Sequence, residues 1–193
     1  MFIRSRAVTR WGIPAICANA VGKNEVAQSI PEPWLRGALE DVHPLVMPLF
    51  FTFEQVREDL TNHSRGLTRE QVWRKINGAA SLGFHMEHIA GSVDRLTTYL
   101  SGAQLNEKQM RHMREEGAGD ASIDKLLESI DAALRRSEEQ LRQIDPGSLY
   151  DARSVGRKAL PTSVIGLLVH LAEHTQRHLG QAITTIKMLR DTT

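Results

Sequence analysis

The chain has 193 residues, 24 lysines and arginines against 23 acidic residues, and a hydrophobic content of 41%. This composition favours one globular domain and excludes a disordered chain, and the nearly zero net charge gives no general attraction to nucleic acid. No apolar run reaches the roughly 18 to 20 residues of a membrane helix and the single Cys17 excludes a disulfide framework, so we expect a cytoplasmic protein that binds neither nucleic acid nor membrane.

The N-terminal segment differs in composition from the rest of the chain. It contains four basic residues and no acidic residue before Asn24. Its apolar stretch, Trp11–Ala18, is interrupted by Gly12 and Pro14, unlike the continuous apolar core of a secretory signal. We expect residues 1–29 to be a less ordered extension outside the core, followed by one domain over residues 30–193.

The first predicted helix covers residues 34–60. Its apolar residues recur at steps of three and four, as one face of a helix requires, and a kink or break is expected near Pro44 and Pro48. Thr68 and Gln71 have the spacing of a capping box, in which each side chain bonds the other residue's backbone N–H. A short helix is therefore predicted to begin there.

Three further long helices are predicted over about residues 80–100, 122–145 and 161–189. The polar segment 106–119 is predicted to be a connecting loop that can include a helical turn, and residues 148–161 are also predicted to be a loop. No segment shows a convincing alternation of apolar and polar residues, so no sheet is expected. The predicted fold is all-α: a four-helix bundle with a less ordered N-terminal extension.

The last predicted helix carries His170, His174 and His178 at steps of four residues. Two imidazoles one turn apart can bind one ion, whereas His170 and His178 are separated by about 12 Å of helix rise. His174 and His178 continue the apolar stripe of the helix, and His170 lies at its edge. This pattern makes His174 and His178 the candidate pair for a metal site, but the pair alone is too common to indicate one. It fits equally two histidines hydrogen-bonded across helices without metal.

The second long helix offers a third imidazole from either His85 or His88. Three histidines with open positions for water or substrate are an arrangement that catalytic metals use. His85 lies nearer the apolar stripe that includes Ile89, whereas His88 lies on its flank with Phe84. Periodicity leaves both histidines as candidates.

Two motifs resemble those of the DinB/YfiT-like superfamily of metal-binding four-helix bundles. The first is His88-Ile-Ala-Gly-Ser followed by Asp-Arg95-Leu, and the second is Glu-His174-x-x-x-His178-Leu-Gly-Gln. The resemblance covers about residues 30–190. It implies that His88, in preference to His85, joins His174 and His178 in binding a divalent ion of Zn, Ni, Fe, Co or Mn.

The resemblance also implies a bacterial metal-dependent enzyme, either a thiol S-transferase or a hydrolase. Its partner is then a small-molecule substrate, with a low-molecular-weight thiol as the preferred class. The alternative is a non-catalytic metal-binding or stress-related interaction protein. A homodimer is compatible with a helical bundle, although no sequence feature requires one.

Two charged residues near the motifs are candidate catalytic residues. Glu173 precedes a predicted ligand and can orient it or act as a base, and the alternative is an ion pair with Arg177 one turn later. Arg95 lies two turns after His88 and can hold an anionic substrate near the metal, and the alternative is a simple ion pair.

Overall fold

The computed structural model describes residues 30–191 of the chain. The extension predicted over residues 1–29 lies outside the described residues, and the domain boundary at its end stays a prediction. Within the described range the chain forms six α-helices and two β-strands. They are α1 (Met47–His63), α2 (Arg69–Trp73), α3 (Leu82–Leu100), α4 (Glu107–Glu115), α5 (Ile123–Leu141), β1 (Ala152–Val155), β2 (Leu160–Ser163) and α6 (Val164–Asp191).

The predicted four-helix bundle is confirmed. Helix α3 packs against α5 and α6, and α1 packs against the same two helices, so the four long helices enclose one core. None of the helices between residues 30 and 191 combines the length and apolar content needed to cross a bilayer. The largest fully buried side chains are mainly aliphatic: Phe53, Leu60, Leu82, Met86, Ile89, Ile130, Leu134, Leu141, Leu168, Leu171, Ile186 and Leu189.

The first predicted helix is wrong in its N-terminal half. Residues 30–46 form only a short 3-10 turn at Pro33–Leu35, followed by irregular chain. Asp41 has a φ of 58°, a left-handed conformation that a continuous helix does not contain. Pro48 lies in the first turn of α1, where its missing N–H is not needed. The proline predicted to kink a helix therefore lies at its beginning.

Local capping accounts for where the helices around the site begin. The predicted capping box at Thr68 and Gln71 is confirmed at the start of α2. The Ser81 side chain accepts a hydrogen bond from the backbone N–H of Phe84, which fixes the start of α3. A second capping box, at Asn106 and Gln109, starts α4 in the segment predicted to be a loop. Glu116, the residue that follows α4, thereby lies against α3.

A β-hairpin contradicts the prediction of a loop over residues 148–161 and of no sheet. Strands β1 and β2 pair antiparallel, with Ala152 opposite Ser163 and Val155 opposite Leu160. Each strand has only four residues, too few to show a clear alternation in the sequence. The Arg153 side chain donates to the carbonyl of the last residue of α3, at 2.8 Å, and joins the hairpin to the bundle.

Candidate metal centre

Three imidazoles from two helices meet between α3 and α6. His88 lies on α3, and His174 and His178 lie one turn apart on α6. One nitrogen of each ring lies within 4.8 Å of a nitrogen of the other two. The Nε2 atoms of His88 and His174 are 2.9 Å apart, and the ring centroids of His88 and His178 are 4.3 Å apart. The packing of α3 on α6 therefore brings together side chains from the two separate sequence motifs.

His85 occupies a different place from His88. It is 6% exposed, and its Nδ1 lies 3.3 Å from Nδ1 of His178. Burial, with a smaller electrostatic contribution from the adjacent His88, lowers the pKa of His85. A neutral His85 can accept a hydrogen bond from Nδ1–H of His178, which leaves Nε2 of His178 free as a ligand atom. The two histidines that periodicity left as alternatives thus have separate positions. His88 belongs to the histidine trio, which is His88, His174 and His178, and His85 lies adjacent to it.

Glu116 is a member of the site that the sequence did not reveal. Its side chain is 4% exposed, and Oε2 lies 2.6 Å from Nδ1 of His88. Oε1 accepts a hydrogen bond from Nη1 of Arg95 at 2.5 Å. A carboxylate at Nδ1 favours the tautomer with the proton on that nitrogen, so the lone pair of His88 Nε2 is directed towards His174. Arg95, predicted to hold substrate, contacts Glu116 and not the trio.

The electrostatics of Glu116 agree with this geometry. Burial alone would raise the pKa of Glu116, but hydrogen bonds from His88 and Arg95 outweigh it and hold that pKa below its ordinary value. The group is therefore a carboxylate at neutral pH. No sequence spacing links residue 116 to either histidine motif, because α4 lies between it and the first motif, and α5 and the β-hairpin lie between it and the second.

Gly91 provides the space in which this carboxylate lies. A Cβ atom at Gly91 would be 2.4 Å from Oε1 of Glu116 and 2.7 Å from Nη1 of Arg95. Both distances are shorter than van der Waals contact allows, so a larger residue would displace the buried ion pair. Because the glycine of the His-Ile-Ala-Gly motif has no side chain, it leaves room for the Glu116 carboxylate beside His88.

We expect Gly91→Ala to destabilise the metal-free protein by about 1 kcal/mol, because the cost of overpacking exceeds the gain in helix propensity. Gly180→Ala is the matched control, since no described atom lies within 4 Å of the Cβ that it would add to α6. That variant should gain roughly 0.5 to 1 kcal/mol. Urea unfolding measures both, and equal stability of the two variants would contradict the steric role of Gly91.

Phe84 covers one side of the trio. Its ring stacks on His88 with centroids 5.4 Å apart and presents an edge to His178 at 6.5 Å. An aromatic ring in this position removes water from the imidazoles and restricts their rotation. It therefore helps to keep the three rings converged.

Burial keeps two of the imidazoles neutral. Desolvation, with a smaller electrostatic contribution from the adjacent His88, lowers the pKa of both His174 and His178 to about 4. At neutral pH both rings therefore carry a free lone pair. Nδ1 of His174 is buried and has no hydrogen-bond partner within residues 30–191.

The predicted catalytic residue Glu173 lies at the exposed edge of the cluster. One oxygen is 2.6 Å from Nδ1 of His170, and the other accepts a hydrogen bond from Arg177. Although burial opposes ionisation, these two partners lower the pKa of Glu173. His170, Glu173 and His174 also place one ligand atom each within 4.8 Å, although the first two are exposed. Glu173 thus forms the ion pair that was the alternative to a catalytic role.

Comparison with known proteins gives one family match. Residues 52–182, more than half of the chain, match the family model described as the DinB superfamily. The matched span runs from α1 into α6 and includes the three histidines and Glu116. No curated protein matches the chain.

Proposed function

Because the chain belongs to the DinB superfamily, we propose that His88, His174 and His178 bind one divalent metal ion. The observation that carries the proposal is the convergence of three half-buried imidazole nitrogens from two helices within 4.8 Å. Imidazole is a good ligand for Zn, Ni, Fe, Co and Mn to differing degrees, so the donor set fits this group of ions and does not choose among them.

The groups that surround the trio, and not only its three donor rings, are compatible with a bound metal ion. Nε2 of His88 and Nε2 of His174 face each other at 2.9 Å, so a cation or a proton has to separate the two lone pairs. Glu116 supplies the hydrogen-bond acceptor that histidine ligands commonly have on the nitrogen that does not bind metal. His85 occupies the equivalent position for His178. Two of the three proposed ligands thus have a partner that fixes their orientation.

The reaction we propose is transfer of a small thiol to an electrophile, with hydrolysis as the second candidate. A divalent ion bound by three neutral imidazoles keeps its full positive charge and would supply a Lewis acid that favours a thiolate or activates water. The chain's own contribution is to orient His88 through Glu116 and to exclude water on the Phe84 side. The exposed residues His170, Glu173 and Arg177 leave an edge at which a small molecule can approach.

Metal analysis of the purified protein followed by a thiol-conjugation assay tests this proposal. Glutathione, bacillithiol and mycothiol are each offered with 1-chloro-2,4-dinitrobenzene, with added zinc or after EDTA treatment, and a p-nitrophenyl ester tests hydrolysis. Metal-dependent consumption of one thiol supports the transferase. One bound equivalent of metal with no turnover of any substrate would instead identify a non-catalytic metal-binding protein.

The pH dependence of stability follows from the lowered pKa values. Between the unfolded pKa of about 6.5 and the folded value of about 4, the unfolded chain binds more protons at His174 and His178 than the folded chain. We therefore expect the unfolding free energy of the metal-free protein to fall as pH decreases from 6.5 to 4. The charged and titratable groups around these rings are His85, His88, Glu116, His170, Glu173 and Arg177.

Urea unfolding at pH 7, 6, 5 and 4 in EDTA measures this loss. The control is the double variant His174→Leu with His178→Leu. It retains every carboxylate, and protonation of these carboxylates also destabilises the protein in acid. Its stability should decrease less between pH 6.5 and 5 than that of the wild-type chain. Parallel pH curves for the two proteins would show that these histidines titrate normally.

A further inference from the structure

A polar cavity distinct from the histidine site lies between α3, α4 and α5. Its volume is about 530 Å³, within the range of roughly 300 to 1,000 Å³ that small-molecule pockets have. The lining residues, all within the described range, do not include the histidine trio. The charged and polar side chains around it include Asp94, Arg95, Lys108, Gln109, His112 and Arg136.

Arg95 is the feature of this cavity that points to a ligand. Its side chain is only 9% exposed, yet only Nη1 is engaged, by Glu116. Nε and Nη2 form no hydrogen bond or ion pair within residues 30–191. A guanidinium carries five N–H donors, and those on Nε and Nη2 are not fully buried, so they are open to a ligand. An acceptor in the cavity would satisfy them.

The charges around the cavity favour an anion. Glu116 balances Arg95, and Asp94 lies 4.0 Å from Arg136 while it also accepts from the Gln109 amide. The charge of Lys108 is not balanced, since it forms no ion pair with any residue between 30 and 191. One positive charge is therefore in excess.

We propose that this cavity binds a small organic anion bearing a carboxylate or a phosphate, through Arg95 and Lys108. The planar guanidinium matches the two oxygens of such a group with two parallel hydrogen bonds. Glu116 holds Arg95 through Nη1, so the donors that remain free are fixed in place before the ligand arrives. The site is separated from the proposed metal by Glu116 and His88, and it requires no metal.

Calorimetric titration of the EDTA-treated protein tests this site, with benzoate as the carboxylate probe and phenyl phosphate as the phosphate probe. We expect saturable binding of at least one probe with one site per chain. Lys108→Gln should weaken it about threefold, as loss of an exposed charge contact does. Arg95→Gln should weaken it at least about tenfold, since a charged hydrogen bond is lost. Lys187→Gln, the same charge change on the exposed face of α6, should leave it unchanged.

The results separate this proposal from that of the metal site, because no metal is present during the titration. Saturable binding that both Lys108→Gln and Arg95→Gln weaken supports the anion site. Absence of saturable binding of either probe overturns the proposal, as does equal binding by Lys108→Gln and Lys187→Gln. Lys108 is exposed and forms no ion pair with the described part of the chain, so its variant gives a clear result even if Arg95→Gln lowers the melting temperature.

Discussion

His174→Ala is expected to bind zinc about 100- to 1,000-fold more weakly than the wild-type chain. Removing this ring leaves two imidazoles, His88 and His178, in place of three. Structural zinc sites with four ligands release roughly 10 to 16 kcal/mol, so one ligand corresponds to about 2.5 to 4 kcal/mol. Competition titration with a chromophoric zinc chelator at pH 7 measures the change.

His170→Ala is the matched control for this experiment. It removes a histidine from the same helix one turn earlier, where the ring is exposed and lies outside the trio. Its zinc affinity should stay within about threefold of wild type, because it removes no proposed ligand and changes only an exposed ion pair. An equal loss in both variants would place the ion at the group of His170, Glu173 and His174 instead.

The metal-free His174→Ala protein distinguishes a functional ion from a structural one. Nδ1 of His174 is buried without a hydrogen-bond partner in the described part of the chain, so the ring does not stabilise the metal-free fold through this atom. In EDTA, we expect the melting temperature of His174→Ala to differ little from that of the wild-type chain. A collapse of the wild-type fold on removing metal would indicate that the ion is structural.

Glu116→Gln is expected to lower zinc affinity by about 10- to 100-fold, the usual effect of losing the hydrogen-bond partner of a metal-binding histidine. The amide keeps the shape of the side chain but not its charge, so it no longer favours the proton on Nδ1 of His88. The same variant leaves Arg95 buried without a carboxylate and should cost about 3 kcal/mol of stability. Chelator competition and urea unfolding measure the two effects.

A second substitution separates orientation of His88 from simple destabilisation. Adding Arg95→Met to Glu116→Gln removes the unpaired buried charge, and such replacements are often neutral or stabilising. We expect stability to recover while zinc affinity stays low, and ¹⁵N shifts of the His88 ring should report a mixed tautomer. Recovery of zinc affinity together with stability would show that Glu116 acts only through the fold.

The sequence alone was sufficient for features that depend on local spacing. Apolar steps of three and four predicted the long helices, because a helix repeats every 3.6 residues whatever surrounds it. The pairing of His174 with His178 has the same local origin, since residues four apart lie on one helical face. The capping box at Thr68 was visible for this reason too. The DinB superfamily match agrees with the two motifs from which the resemblance was drawn.

Features that depend on residues distant in the chain were decided by the tertiary structure. Periodicity left His85 and His88 open, and the rotation of α3 against α6 put one inside the trio and the other beside it. Glu116 joined the site only because α4 folds back onto α3 at Gly91. The number of residues between such partners carries no geometric information, whereas spacing within one helix does. The sequence by itself therefore determined which side chains share a face, and only packing determined which faces meet.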